Sequence, residues 1–221
     1  MGKVPVLGAL IASTLLVSSL CAAQNGKVET TGPLTETSVP EAVRQALDSK
    51  GYRVLLDDGS FVCELWMRNG IPAQAKKDAE GVVYPQLSES VLIGVAHFEH
   101  AAADFRGHRI PAGFYTLRYE LMPNDGDHLG AAPNRDFVLL VPAASDADPT
   151  ATFKFQDLVA MSARTSGMKH PSPLSLAPAD SGKTPALSKD DQDHWIFSAG
   201  VKLASGEELP FALVVKGTAQ Q

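Results

Sequence analysis

The stretch "RIPAGFYTLRYEL", Arg109 to Leu121, follows a Pro-Gly turn with strict alternation. Tyr115, Leu117, Tyr119 and Leu121 fall on one side and Thr116, Arg118 and Glu120 on the other. That period of two belongs to a strand with one face on a core and one face in water. Such a strand is the unit of an antiparallel sheet, so the neighbouring segments are read as its partners.

Upstream, "VLIGVAHF" (Val91 to Phe98) is apolar on both faces, as a central strand should be. Downstream, "DFVLLVPA" (Asp136 to Ala143) returns as a further strand. In "YRVLLDDGSFVCELWMRN", Tyr52 to Asn69, two apolar runs flank Asp58-Gly59, the pair favoured by a tight type I′ hairpin. Its second arm puts Phe61, Cys63, Leu65 and Met67 on one face and Val62, Glu64, Trp66 and Arg68 on the other. Cys63 therefore reads as a small core hydrophobe. The closing "HWIFSAGVKLASGEELPFALVVKG" is a last hairpin, with Trp195, Phe197, Ala199, Val201 and Leu203 matched by Leu209, Phe211, Leu213 and Val215.

Two segments carry helical period instead. "SVPEAVRQALDSKG" starts at Ser38 with a capping box to Glu41, has Pro40 early and stops at Gly51. "TFKFQDLVAMSARTSG" predicts a second helix near Phe155 to Thr165. Between these elements lie a connection of little period, "NGIPAQAKKDAEGVVYPQLSES", and a Pro- and Ser-rich surface excursion, "MKHPSPLSLAPADSGKTPALSKDDQD". Neither a β-α-β alternation nor a glycine-rich nucleotide loop appears. The expectation is a mainly β chain: a single antiparallel β-sandwich or jelly-roll-like domain over residues 38–218, with two short helices.

The amino terminus, "MGKVPVLGALIASTLLVSSLCAAQ", has one lysine ahead of an apolar run and small residues at Ala22 and Ala23. This is the order of a secretory signal peptide over residues 1–23, followed by a polar leader over residues 24–37 that is expected to be flexible. Lipid attachment at Cys21 is disfavoured by Leu20 immediately before it. The run is at the lower limit for a membrane span and holds Pro5 and Gly8, so no stable membrane insertion is expected after cleavage. Secreted or periplasmic export follows. The mature chain then holds one cysteine, Cys63, so its core must hold it together without a disulfide. A net charge of −6 argues against a nucleic-acid partner, whose phosphates call for clustered lysine and arginine.

"GHRIPAGFYTLRY" resembles a strand of several uncharacterised exported bacterial β-sandwich proteins, in which "IPAG" leads into x-Y-x-L. "MPNDGDHLGAAPNRDFVLLVPA", "HPSPLSL" and "ALVVKG" are similar to segments of unannotated exported proteins as a set. The resemblance implies a fold and an address outside the cytoplasm. It implies no activity, cofactor or catalytic residue.

Candidate site residues come in three groups. The long loop from Met122 to Arg135 gathers Asn124, Asp125, Asp127 and His128 around Gly126, which reads as ordinary turn chemistry or as oxygen ligands for calcium. Beyond it, Asn134 and Arg135 offer a ligand clamp, although Arg135 can instead pair with Asp136 or Asp127. A loop-based hydrolase would use Asp127, His128 and Arg135. The second group is "HFEHAAADFRGHR", with His97, Glu99, His100, Asp104 and His108; His97, His100 and His108 are the candidate metal ligands for zinc or copper, with Met67 or Met122 as a soft extra donor. Strand parity opposes a metal shared by His97 and His100. The third is Trp66, placed among polar neighbours, which would stack on a sugar or peptide unless a helix or the leader covers it. No G-x-S-x-G, H-E-x-x-H or C-x-x-C pattern is present. The reading is an exported, non-enzymatic binding or interaction module for a ligand or protein outside the cytoplasm; the alternative is a periplasmic metal-binding protein.

Overall fold

The computed structural model describes residues 26–76, 79–123, 134–166, 170–179, 182 and 184–217. The expected signal peptide lies outside them. Among the described residues no helix is long and apolar enough to cross a membrane.

The chain is mainly β and antiparallel, as alternation in Arg109 to Leu121 requires. Its strands are β1 (Lys27–Thr31), β2 (Leu47–Leu55), β3 (Phe61–Arg68), β4 (Leu92–Phe98), β5 (Ala102–Ala103), β6 (Arg109–Ile110), β7 (Gly113–Leu121), β8 (Asp136–Pro142), β9 (Pro173–Ala177), β10 (Ala186–Lys189), β11 (Trp195–Lys202) and β12 (Glu208–Lys216). Two α-helices join them, α1 (Glu41–Ala46) and α2 (Phe155–Ser166). Ten strands form one sheet in the order β1-β2-β3-β4-β7-β8-β9-β12-β11-β10, and β5 and β6 make a small hairpin beside it. The sheet curls until β1 lies against β10. Because β9 sits beside β12 rather than β10, the last four strands form a Greek key.

The two halves of the curled sheet face one another across the main core. Tyr52 of β2 meets Phe197 of β11 with ring centroids 5.3 Å apart, and Tyr84 meets Phe211 of β12 at 5.1 Å. Leu117 and Tyr119 of β7 and the nine alternating residues of the closing hairpin, Trp195 to Leu203 and Leu209 to Val215, are buried in this core, as their alternation predicts. Cys63 is buried and free there, and burial pushes its thiol far up from its ordinary range.

One turn geometry closes four hairpins. In Leu56–Ser60, Asp104–His108, Asp190–His194 and Leu203–Glu207 the first residue's N–H bonds the last residue's carbonyl, and the fourth residue's N–H bonds the first carbonyl. The fourth residue is left-handed each time: Gly59 at φ 79°, Gly107 at 80°, Asp193 at 65° and Gly206 at 88°. This is a type I turn followed by a bulge. It replaces the type I′ turn expected at Asp58-Gly59, where only the glycine takes positive φ.

Several expectations are corrected by contacts far apart in sequence. The leader is not flexible over its whole length: β1 pairs with β2 from Lys27↔Leu55 to Thr31↔Gly51, so the folded body begins before Ser38. The first helix is a short α1 without a side-chain cap at Pro40; Gly51 lies inside β2, and the expected capping box does not form. The Pro- and Ser-rich excursion contains β9 and β10, with Leu174 and Leu176 fully buried. α2, by contrast, falls where its period predicts.

The face of β7 expected in water is also covered. Thr116, Arg118 and Glu120 are all buried. Arg118 lies under the crossover that follows β8, and each of its five donors has an acceptor. Nε bonds Asp146 Oδ2 at 2.8 Å, one terminal nitrogen bonds Ser90 O and Ala151 O at 3.0 and 2.8 Å, and the other bonds Asp146 Oδ1 and Asp148 O, both at 2.7 Å. The Thr116 hydroxyl donates to Asp146 Oδ2 at 2.7 Å, and the Phe153 ring stacks over the guanidinium at 5.1 Å. Removing one partner leaves the other charge buried and alone. Asp146→Ala should therefore cost about 3–5 kcal/mol in the unfolding free energy from a denaturant titration.

Glu120, two residues on, has no such partner: its Oε2 is buried without a hydrogen bond among the described residues. Burial, and then the nearby Glu89 carboxylate, push its carboxyl up from 4.5 to about 7. The folded chain consequently holds more protons than the unfolded chain between about pH 4.5 and 7, and stability falls as pH rises through that window. Glu120→Gln should raise the denaturant midpoint at pH 8 and flatten its fall between pH 5 and 8.

Candidate functional site

A cleft of about 430 Å³ lies at one end of the outer sheet face. Local folding explains each wall. The β5–β6 hairpin contributes one side through Arg106, His108, Arg109 and Ile110; α2 contributes the other through Phe155 and Val159. Phe137 of β8 and Ser175 of β9, side by side in the sheet, form the floor. Met122 and Pro123 stand at the edge, where the Met122-to-Arg135 loop departs. The volume lies within the roughly 300–1,000 Å³ usual for small-molecule sites.

The rim is ordered by Asp104. Its carboxylate, 4% exposed, accepts the Arg106 and His108 backbone N–H groups at 2.9 and 2.8 Å and faces His108 Nδ1 at 3.1 Å. The other ring nitrogen is left for the cleft side or solvent. An orienting carboxylate is also half of a general-base arrangement. The same five-residue device recurs, however, at Asp190–His194: the Gln192 and His194 N–H groups both bond Asp190 Oδ1 at 2.9 Å, and His194 Nδ1 lies 2.9 Å from Asp190 Oδ2. There the imidazole is buried, packed against Phe105 at 4.3 Å between centroids. The pairing is therefore a turn lock first, and at 104–108 it also fixes a histidine at the edge of a cleft.

Arg106 and Arg109 are exposed at that rim, and neither makes a side-chain hydrogen bond or ion pair among the described residues. His170, on the far wall, completes the basic groups lining the cleft.

The anticipated site residues are distributed differently. Asp125, Asp127 and His128 lie outside the described residues. Asn134 donates to Leu176 O at 3.3 Å, which ties it to β9. Arg135 does not pair with Asp136: its Nε bonds Met122 O at 2.9 Å and a terminal nitrogen reaches Glu80 O at 3.5 Å. Asp136 is instead saturated by the Val83 and Tyr84 N–H groups and the Tyr119 hydroxyl, at 2.7, 2.8 and 2.8 Å. Asn134 thus ties one end of the loop to β9, and Arg135 joins that end to Met122 and to Glu80.

The metal set is separated. His97 Nδ1 lies 3.1 Å from Glu64 Oε2 and its ring stacks on Phe114 at 4.0 Å, His100 is exposed, and His108 belongs to Asp104. Among the described residues no three His, Cys, Asp or Glu side chains come together as a metal site. Trp66 is only 5% exposed, covered by the leader and α1, with its indole N–H donating to Gly32 O at 3.0 Å. Its edge lines a shallow hollow of about 340 Å³ with His97 and residues 33–37, which leaves no open face for stacking.

Alternation and period had pointed to none of the cleft's arginines. The available signal is the D-x-x-G-H spacing at 104–108, a turn whose third and fifth residues, Arg106 and His108, are exposed. Compared with protein-family models, curated proteins and solved structures, the chain matches none.

Proposed function

We propose that this protein is an exported, non-enzymatic binding module that seats a small ligand in the cleft between the β5–β6 hairpin and α2. The observation that carries the reading is an apolar lining, Ile110, Phe137, Phe155 and Val159, beneath a rim of polar groups held by turn bonds. Apolar lining with a few placed polar groups is what small-molecule recognition needs. The export part rests on the first 23 residues and on the resemblance to exported β-sandwich proteins. The binding surface moves from the Met122-to-Arg135 loop itself to the cleft at whose edge that loop begins.

A neutral, solvent-sensitive dye such as Nile red tests the site without presuming a charge on the ligand. Its emission should rise and shift to the blue with the wild-type protein. Val159→Trp, which fills the cleft from the α2 wall, should weaken it about tenfold or more. Equal dye binding by a folded Val159→Trp protein would remove the cleft as the site. Protein recovered from outside the cytoplasm of an expressing bacterium should begin at Gln24.

A further inference from the structure

The charge around the cleft runs against the charge of the chain. The protein carries a net −6, yet two arginines without ion partners among the described residues stand at one end of an apolar hollow. The acid beside them, Asp104, is buried and its oxygens are taken by two backbone N–H groups and His108. Among the described residues no exposed carboxylate lines the cleft to neutralise Arg106 and Arg109. Each guanidinium offers a planar fork of donors matched to a carboxylate or phosphate.

The rim is also fixed before any ligand arrives. Arg106 sits within the locked turn and Arg109 directly follows it; Phe105, between Asp104 and Arg106, packs against His194; and the Gly217 N–H bonds Ala103 O at 3.3 Å, fastening β5 to the end of the last strand. A pre-ordered rim loses little entropy on binding. Below it the apolar walls of Ile110, Phe137, Phe155 and Val159 suit a hydrocarbon or ring body and offer a second charge no partner.

We infer that the cleft takes a free anionic amphiphile, a single carboxylate or phosphate monoester on an apolar body, with Arg106 and Arg109 holding the head group. This rests on the cleft being the binding site. The head group would lie at the β5–β6 side and the body against Phe137 and α2.

Displacement of Nile red by decanoate, decyl phosphate, decanol and decylamine, each below its micelle concentration, reads the head group directly. Decanoate or decyl phosphate should compete about tenfold or more better than decanol or decylamine, and comparing the two anions distinguishes carboxylate from phosphate. The double variant Arg106→Gln, Arg109→Gln should lose about tenfold for the anions while retaining Nile red. Equal competition by all four compounds, or a double variant with unchanged anion affinity, overturns the inference and leaves the cleft as a site. Nile red binding that ignores Val159→Trp removes the site itself. Binding to phosphatidylglycerol vesicles through the same arginines, with no decanoate competition, would replace the free ligand by a membrane surface.

Discussion

The buried pair of Arg118 and Asp146 holds the outer layer of this molecule in place. Taking both charges out of water costs several kcal/mol per ion, and the attraction between them offsets that only if the remaining donors and acceptors are satisfied. Here they are: Arg118 has five N–H donors and five acceptors, two on Asp146 and three on the carbonyls of Ser90, Ala151 and Asp148. Those carbonyls belong to the approach to β4 and to the crossover after β8. One side chain in the middle of β7 therefore fixes where the chain leaves the sheet and where it turns back toward it. α2 follows four residues after the last of these contacts, packs Leu158 onto Phe137, Leu139 and Val141 of β8, and becomes a wall of the cleft. A hydrophobic replacement of the pair could fill the space. It would not specify the three carbonyl positions.

That network also explains the main misreading of the fold from sequence. The pattern Thr116, Arg118, Glu120 is polar, and polarity at alternate positions normally means water. The reason Thr116 and Arg118 are buried is not local: it lies in Asp146 and, for Arg118, the Ser90 carbonyl, each 28 residues from Arg118. The same limit hid β1, whose residues are polar because it is an edge strand, and β9, whose prolines and serines look like a loop although Leu174 and Leu176 are buried between β8 and β12. Where a segment's periodicity and its burial share a cause, as in β7's inner face, α2 and the β11–β12 hairpin, reading and structure coincide.

The candidate site shows the same division. His108 was visible as a titratable residue in a histidine-rich stretch, but its role depends on Asp104 four positions earlier, which turns it from a metal candidate into a locked rim residue. Trp66 was visible as an aromatic among polar neighbours, but Gly32, 34 residues away, takes its N–H and the leader covers its face. Arg106 and Arg109 carry no motif. They become informative only when α2 and β8 place an apolar floor beside them.

The two Asp-x-x-x-His turns separate what the local chemistry does from what the fold does with it. Both use one carboxylate to bond two backbone N–H groups and a histidine, and both hold a left-handed fourth residue. At 190–194 the histidine is buried against Phe105, so the turn serves packing alone. At 104–108 the same bonds leave the histidine exposed, and the neighbouring arginines project beside it. A stiff turn at the mouth of an apolar hollow presents charge without having to order it at the moment of binding. The packed twin braces its exposed counterpart through Phe105, so the rigidity of the rim derives from the core behind it.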